Sequence, residues 1–291
     1  MTFQERYEAD RQQIEAALAA YFQPEDKPYA GLLLAMRYSL LAGGKRLRPV
    51  LVLETCRACG GEAETAMPAA CAVEMLHTYS LIHDDLPSMD NDTLRRGRPT
   101  CHIAYGECTA TLAGDALQAE AFSALLSGDL PTEVRAECAR LLAEAAGTRG
   151  ICGGQYLDTV GRGQLDCAAA YLHMYQMKTS ALFRAACCMG AVCAGASAAQ
   201  VEAAGAYADL LGLAFQIRDD VLDATATSQA LGKDAGSDAR CGKSTFLSLY
   251  GRQASADRIG ELTAQAVAAA QRLPQPQFLA ALAEELIARP A

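Results

Sequence analysis

Apolar residues recur at three- and four-residue spacing through almost the whole chain, in an Ala- and Leu-rich background with little β-branched alternation. That period belongs to the α-helix, so the sequence predicts an all-α fold. Helices are expected over about 5–22, 29–42, 48–59, 65–85, 107–126, 132–148, 166–194, 198–223, 243–250, 254–272 and 276–288. Breaks are expected at Gly43-Gly44, Gly60-Gly61, Gly128 to Pro131, Gly161 to Gly163 and Leu273-Pro274. No Pro- or Ser-rich stretch separates two unlike halves, so residues 1–291 read as a single-domain helical bundle.

With 51% hydrophobic residues the chain has enough apolar surface for a large core. A net charge of −9 repels nucleic acid and anionic membranes, so nucleic acid is not an expected partner. Apolar stretches are interrupted well before the roughly 18 to 20 residues of a membrane span, and the polar start is unlike a secretory signal. A soluble, cytoplasmic protein is expected. The 12 cysteines then read as reduced small hydrophobes, with Cys71, Cys187, Cys188 and Cys193 in the core. Cys56 and Cys59 have CxxC spacing, but no second pair follows at zinc-site distance.

The most informative stretch is His77-Thr78-Tyr79-Ser80-Leu81-Ile82-His83-Asp84-Asp85-Leu86-Pro87-Ser88-Met89-Asp90-Asn91-Asp92, an apolar helical run ending in four carboxylates. Carboxylates so close repel one another unless cations join them. Pro87 turns the chain just past Asp85 and can return Asp90 toward the face of Asp84. A second cluster, Asp219-Asp220-Val221-Leu222-Asp223, again closes a long apolar helix. There Asp219 and Asp223 share a face and Asp220 is turned about 100° away. Carboxylates sit badly against the negative end of a helix dipole, and a misfit made twice points to function. Hard oxygen donors too few for a complete cage point to Mg²⁺ shared with phosphate oxygens of a substrate. Two such clusters face to face would clamp a diphosphate and neutralise it as a leaving group.

The few cations gather in Gly43-Gly44-Lys45-Arg46-Leu47-Arg48-Pro49, where glycines permit close approach and Lys45 and Arg48 can converge on an anion. Arg95-Arg96-Gly97-Arg98 follows the first acidic cluster, and Lys178-Thr179, Lys233 and Gly242-Lys243-Ser244-Thr245 come later. The last is not a P-loop, since Ser237 stands where that motif needs Gly and no strand precedes it. His77 lies about two turns before Asp84 and shares its face. Tyr79 lies five residues before Asp84, about 7.5 Å down the axis, where a ring could close an apolar tunnel.

Taken in order, these motifs resemble the trans-polyprenyl diphosphate synthases, most closely the bacterial farnesyl diphosphate synthases. Gly43 to Pro49 looks like the first basic motif, Asp84-Asp85 with Asp90 the first aspartate-rich motif, and Asp219-Asp220 with Asp223 the second. Arg95-Arg96, Gly153-Gly154-Gln155, Lys178-Thr179, Gln216, Lys233 and Gly242 to Thr245 stand in the family's order, so the likeness runs from Gly43 to Thr245.

The resemblance implies a homodimeric isoprenoid-synthase fold with a deep central cavity. It implies head-to-tail condensation of isopentenyl diphosphate with dimethylallyl and geranyl diphosphates. Three Mg²⁺ ions would be held by Asp84, Asp85, Asp90, Asp219, Asp220 and Asp223, and Arg95, Lys178 and Lys233 would take the allylic diphosphate. Gly44, Lys45, Arg48, His77, Arg96 and Lys243 would serve substrate binding, and Thr179 and Gln216 would stabilise the cation. Tyr79, Ser80 and the long first motif imply a fifteen-carbon product, farnesyl diphosphate. Geranylgeranyl diphosphate synthases share that long motif and form the alternative, beside a non-catalytic partner subunit. A terpene cyclase would carry an Asn/Ser/Glu metal motif in place of the second aspartate cluster.

Overall fold

A computed structural model describes residues 1–23, 26–161, 165, 167–225 and 245–288. Helix α1 (Phe3–Ala20) starts from a capping box in which the Thr2 hydroxyl accepts the Glu5 N–H and the Glu5 carboxylate accepts that of Thr2. Then come α2 (Ala30–Leu40), α3 (Leu47–Ala58), a 3₁₀ turn (Ala63–Ala66) and α4 (Met67–Asp84), with Pro68 in the first turn of α4. A two-residue ladder pairs β1 (Leu94–Arg95) with β2 (Arg98–Pro99). Next are α5 (Cys101–Tyr105), α6 (Glu107–Leu126), α7 (Thr132–Ala146), α8 (Ile151–Thr159) and α9 (Ala168–Tyr175). A π turn (Gln176–Ser180) joins α9 to α10 (Ala181–Cys193), followed by α11 (Ala198–Thr225). Helices α12 (Phe246–Ala270) and α13 (Gln277–Ala288) complete the described elements.

The all-α reading holds, with five local differences. Helix α8 and the short α5 are not in the sequence expectation, and the span expected as one helix over 166–194 is broken by the π turn. The expected break near residue 250 is a kink at Gly251 (φ +81°) inside α12 rather than a gap. The arginine loop after α4 folds as a small hairpin, with Arg96 (φ +55°) and Gly97 (φ +73°) turning it.

Helix α4 is apolar on nearly all sides because it is central: Ala69 to Leu76 are all buried, and α4 packs between α3 and α6. Helix α10 lies against α3, α7 and α11, and Gly190 permits the crossing with α3, since a Cβ there would stand 2.3 Å from the Val52 carbonyl oxygen. One large core joins these helices, and a smaller one formed by Tyr175, Leu213, Ile217, Phe246 and Leu262 supports the end of α11. Arg46 is buried (2% exposed) at a left-handed N-cap of α3. Its guanidinium donates to Glu15 (2.8 Å), Glu74 (2.6 Å) and the Leu40 carbonyl (2.7 Å), which fixes the basic loop to α1, α2 and α4. The described cysteines are unbridged thiols, with Cys71, Cys187 and Cys188 buried and Cys193 half-buried.

Candidate active site

Two helices end at one cavity: α4, whose last residue is Asp84, and α11, which carries Asp219 in its last turns. The cavity has a volume of about 340 Å³, and its wall includes Arg48, His77, Ser80, Asp84, Arg95, Arg96, Gln155, Lys178, Thr179, Gln216 and Asp219. Ten of the residues singled out from the sequence as site residues therefore meet here, with Gln155 as an eleventh polar group. Burial pushes the Asp84 carboxyl up to about 6, helped by Asp90 and Asp85 and opposed by Lys178 and Arg95. A carboxyl so placed gains from a cation that arrives with the ligand.

Past α4 the chain doubles back. The Asp90 N–H donates to the Asp84 carbonyl (2.9 Å), and Asn91, at φ +54°, donates to that of Leu86 (3.1 Å). Adjacent aspartates at a helix end point apart. Asp85 is buried and accepts from Arg95, whose Nε stands 3.0 Å from Oδ1 and whose Nη2 also reaches Asp92 at 3.3 Å. Asp85 is thus held by an arginine away from the cavity wall, and Asp84 faces the space.

The cations divide by surroundings. Arg48 lies over the Phe183 ring (4.8 Å) and donates from Nη1 to His77 Nε2 (3.2 Å). A guanidinium has no lone pair to offer, so Nε2 is the acceptor and the His77 proton sits on Nδ1. Burial, then Arg48 and Arg96, hold His77 well below its ordinary pKa, and burial pushes Arg48 down to about 10. His77 therefore orients Arg48 as a neutral ring. Arg96 donates to the Gly43 carbonyl and passes over Gly44, where a Cβ would stand 2.8 Å from its Cζ. Gly44 serves this site by making room for an arginine rather than by lining the cavity. Lys45 is exposed and off the cavity wall.

On the opposite wall the π turn presents Lys178 and Thr179, a frequent use of such turns. It fits against α8 because Gly154 has no side chain: a Cβ there would meet the Lys178 backbone nitrogen at 2.3 Å. Lys178 Nζ donates to Asp158 on α8 (2.5 Å). The Thr179 hydroxyl donates to Gln216 Oε1 (2.6 Å), and Gln216 Nε2 donates to Asp220 Oδ1 (3.0 Å). Tyr175 donates to Asp220 Oδ2 (2.5 Å) and accepts the N–H of Phe246, the first residue of α12 (3.1 Å). Asp220 thus lies beneath the wall as the anchor of Gln216, and buried Asp223 is likewise off it. Asp158 and Tyr175 went unnoticed in the sequence; Asp158 lies one helical turn after Gly154, on the same face, which is the signal that could have found it.

Tyr79 lies on a second cavity, of about 410 Å³, which shares Ser80, Asp84, Ile151 and Gln155 with the first. Its hydroxyl meets Cys152 Sγ at 3.5 Å and its ring packs edge-on to His83 (5.5 Å), whose Nε2 is bonded to the Thr111 carbonyl (3.0 Å). His83 is thereby a structural group. Lys233 and Lys243 lie outside the described residues. Among the described residues no three of His, Cys, Asp and Glu form a group that could hold a metal ion unaided. The acidic donors instead stand on two walls, an arrangement suited to cations completed by a ligand's oxygens.

The order of basic and acidic groups along the chain matches a known pattern: the polyprenyl synthetase family model aligns with residues 30–276. This chain belongs to the polyprenyl synthetase family. The chain is 40% identical over 290 residues to the farnesyl diphosphate synthase of Haemophilus influenzae, covering 99% of this chain and 98% of that one. It is 47% identical over 224 residues to the geranylgeranyl diphosphate synthase of Cyanophora paradoxa, covering 76% and 75%. In structure it superposes on a Helicobacter pylori geranyltransferase complexed with magnesium and isoprenyl diphosphate, with a TM-score of 0.86 and 30% identity over 99% of this chain and 97% of that one. The protein is an enzyme, a prenyltransferase of the prenyl diphosphate synthase class. No helix of the described residues is long and apolar enough to cross a membrane.

Proposed function

We propose that the protein condenses isopentenyl diphosphate head to tail with dimethylallyl and then geranyl diphosphate, releasing diphosphate and farnesyl diphosphate. The observation that carries this reading is the single cavity between Asp84 and Asp219, walled by four cations and by the Thr179 hydroxyl. Asp84, Asp90 and Asp219 are the carboxylates that would hold Mg²⁺, three ions being the number the family resemblance implies. Asp85, Asp220 and Asp223 support them from behind. When bound, Mg²⁺ supplies Lewis-acid charge to the allylic diphosphate as it leaves.

The chain's own residues perform the rest. Lys178, held by Asp158, and Arg95, held by Asp85, bind the allylic diphosphate from opposite walls. Arg48 and Arg96 bind isopentenyl diphosphate, with His77 fixing the Arg48 fork. Lys45, Lys233 and Lys243 belong to the same reading as further diphosphate ligands. As the allylic C–O bond breaks, the Thr179 oxygen faces the growing positive charge; its proton is committed to Gln216, so its lone pairs are free to do so. The double bond of isopentenyl diphosphate attacks that carbon, and the departed diphosphate takes the proton lost in forming the new double bond.

Buried Tyr79 and Ser80 are read as the stop that sets fifteen carbons. A second reading, a twenty-carbon product, is favoured by the volume of about 410 Å³ in the cavity that Tyr79 lines. Incubation with Mg²⁺, isopentenyl diphosphate and dimethylallyl diphosphate, with EDTA as control and product length read by mass spectrometry, decides between them. Absence of condensation with any allylic starter would overturn both. The enzyme is further read as a cytoplasmic homodimer. Light scattering tests the paired state, and the mass of a single copy would overturn it.

A further inference from the structure

We propose that Gln155 is a further catalytic residue, whose side-chain amide touches the allylic substrate beside the ionising carbon and stabilises its charge. The inference rests on the condensation reading above. Gln155 is 7% exposed, and neither its Oε1 nor its Nε2 has a hydrogen-bond partner among the described residues. A buried amide left wholly unpaired calls for an explanation, because such groups are almost always satisfied.

Its place supplies one. Gln155 lies on both the reaction cavity and the second cavity, the one that Tyr79 lines, and so stands where the two adjoin. Helix α8 is held there from two sides, by the absent side chain of Gly154 against the Lys178 backbone and by Asp158 on Lys178 Nζ. The neighbouring amide cannot serve in its stead: Gln216 spends its oxygen on Thr179 and its nitrogen on Asp220. Gln155 alone among these two amides keeps its oxygen for a ligand, on a wall shared with apolar Ile151, Leu182 and Phe215.

An amide oxygen suits the task chemically. It carries partial negative charge but is neutral and hardly basic, so it steadies a carbocation without removing a proton early. In the step itself the allylic C–O bond breaks, its electron pair leaves with diphosphate, and the isopentenyl double bond forms the new C–C bond. The proton then lost goes to diphosphate, and Gln155 forms no covalent bond.

The test is Gln155→Met, which keeps the side-chain length and removes the dipole. The expected kcat falls about 10- to 100-fold with both KM values within about threefold of wild type. Binding of the unreactive dimethylallyl thiolodiphosphate, measured by calorimetry, stays unchanged. The melting temperature stays level or rises, because an unsatisfied buried group has been removed. Loss of activity with unchanged or improved stability separates a catalytic amide from a structural one.

Two results overturn the inference. If kcat stays within about twofold, the amide binds only water; if the melting temperature and analogue binding fall together with kcat, it is a structural group. A second variant, Gln155→Glu, keeps an oxygen but adds a full charge, and is expected to retain more activity than Met in the ionisation step. Equal loss in both argues against an oxygen on the cation. Wild-type enzyme that fails to condense any starter sinks the underlying reaction, whereas wild-type turnover matched by the Met variant sinks only the role of Gln155.

Discussion

Replacing Gly154 with Ala tests how the enzyme places its lysine. A Cβ at residue 154 would stand 2.3 Å from the Lys178 backbone nitrogen, 2.7 Å from its Cα and 2.8 Å from its Cβ. Ordinary contact begins near 3.4 Å, so α8 and the π turn must part by about 1.1 Å, and the atoms in the way are mostly backbone that cannot rotate aside. Overpacking of this kind costs about 3 kcal/mol at its upper end, while Ala regains about 1 kcal/mol of helix propensity over Gly. The net loss is about 2 kcal/mol, roughly a 4 °C fall in melting temperature for a domain of this size. Activity should suffer more, because a misplacement of about 1 Å at a catalytic group costs on the order of 10²-fold in rate. Thermal unfolding by circular dichroism and steady-state kinetics with both diphosphates measure the two effects. A Gly154→Ala enzyme with wild-type kcat and melting temperature would show that α8 does not set the position of Lys178.

Three further outcomes follow from the same geometry. Tyr79→Ala removes the ring that meets Cys152 and His83, and product analysis should shift from fifteen toward twenty carbons; an unchanged fifteen-carbon product would move the stop elsewhere. Arg46→Gln leaves buried Glu74 with only Arg96, at 3.9 Å, in place of a cation at 2.6 Å and should destabilise the fold by about 3 kcal/mol in urea unfolding, far more than loss of a surface arginine would. His77 is held neutral in the folded state, so below the ordinary pKa of 6.5 the unfolded chain takes up a proton that the folded chain refuses. Its share of stability is present above pH 6.5 and is lost as the pH falls below it; His77→Gln should flatten that limb of the urea midpoint. An imidazole NMR signal titrating near its ordinary pKa would refute this.

The long helices were legible because apolar residues recur with the helical period, as in α6, or run almost unbroken, as in the central α4. Helix α8 was not, because two glycines in nine residues lower its helix propensity, whereas in the fold their lack of side chains is what lets α8 meet the π turn. The hairpin after α4 escaped notice because each strand has two residues and no alternation to detect. At the site, charge clusters marked the right neighbourhood but not which members face the cavity. Asp84 and Asp85 differ by one position, yet one lines the cavity and the other meets Arg95. Spacing likewise located Lys178 but not Asp158, its partner from another helix, because that pairing is made by packing.

The π turn at Gln176–Ser180, where the Ala181 N–H reaches back five residues to the Gln176 carbonyl, works as a phase shifter. It inserts one residue relative to an α-helical ladder, so every position beyond it is rotated by about 100° from where a continuous helix would place it. With the extra residue, Tyr175 reaches Asp220, Thr179 reaches Gln216 and the buried face of α10 still meets α3. Deleting a single residue here would straighten the helix and force a choice between the cavity face and the core face. The number of residues between Tyr175 and Ala181 therefore shapes the cavity wall as much as the identity of any one of them.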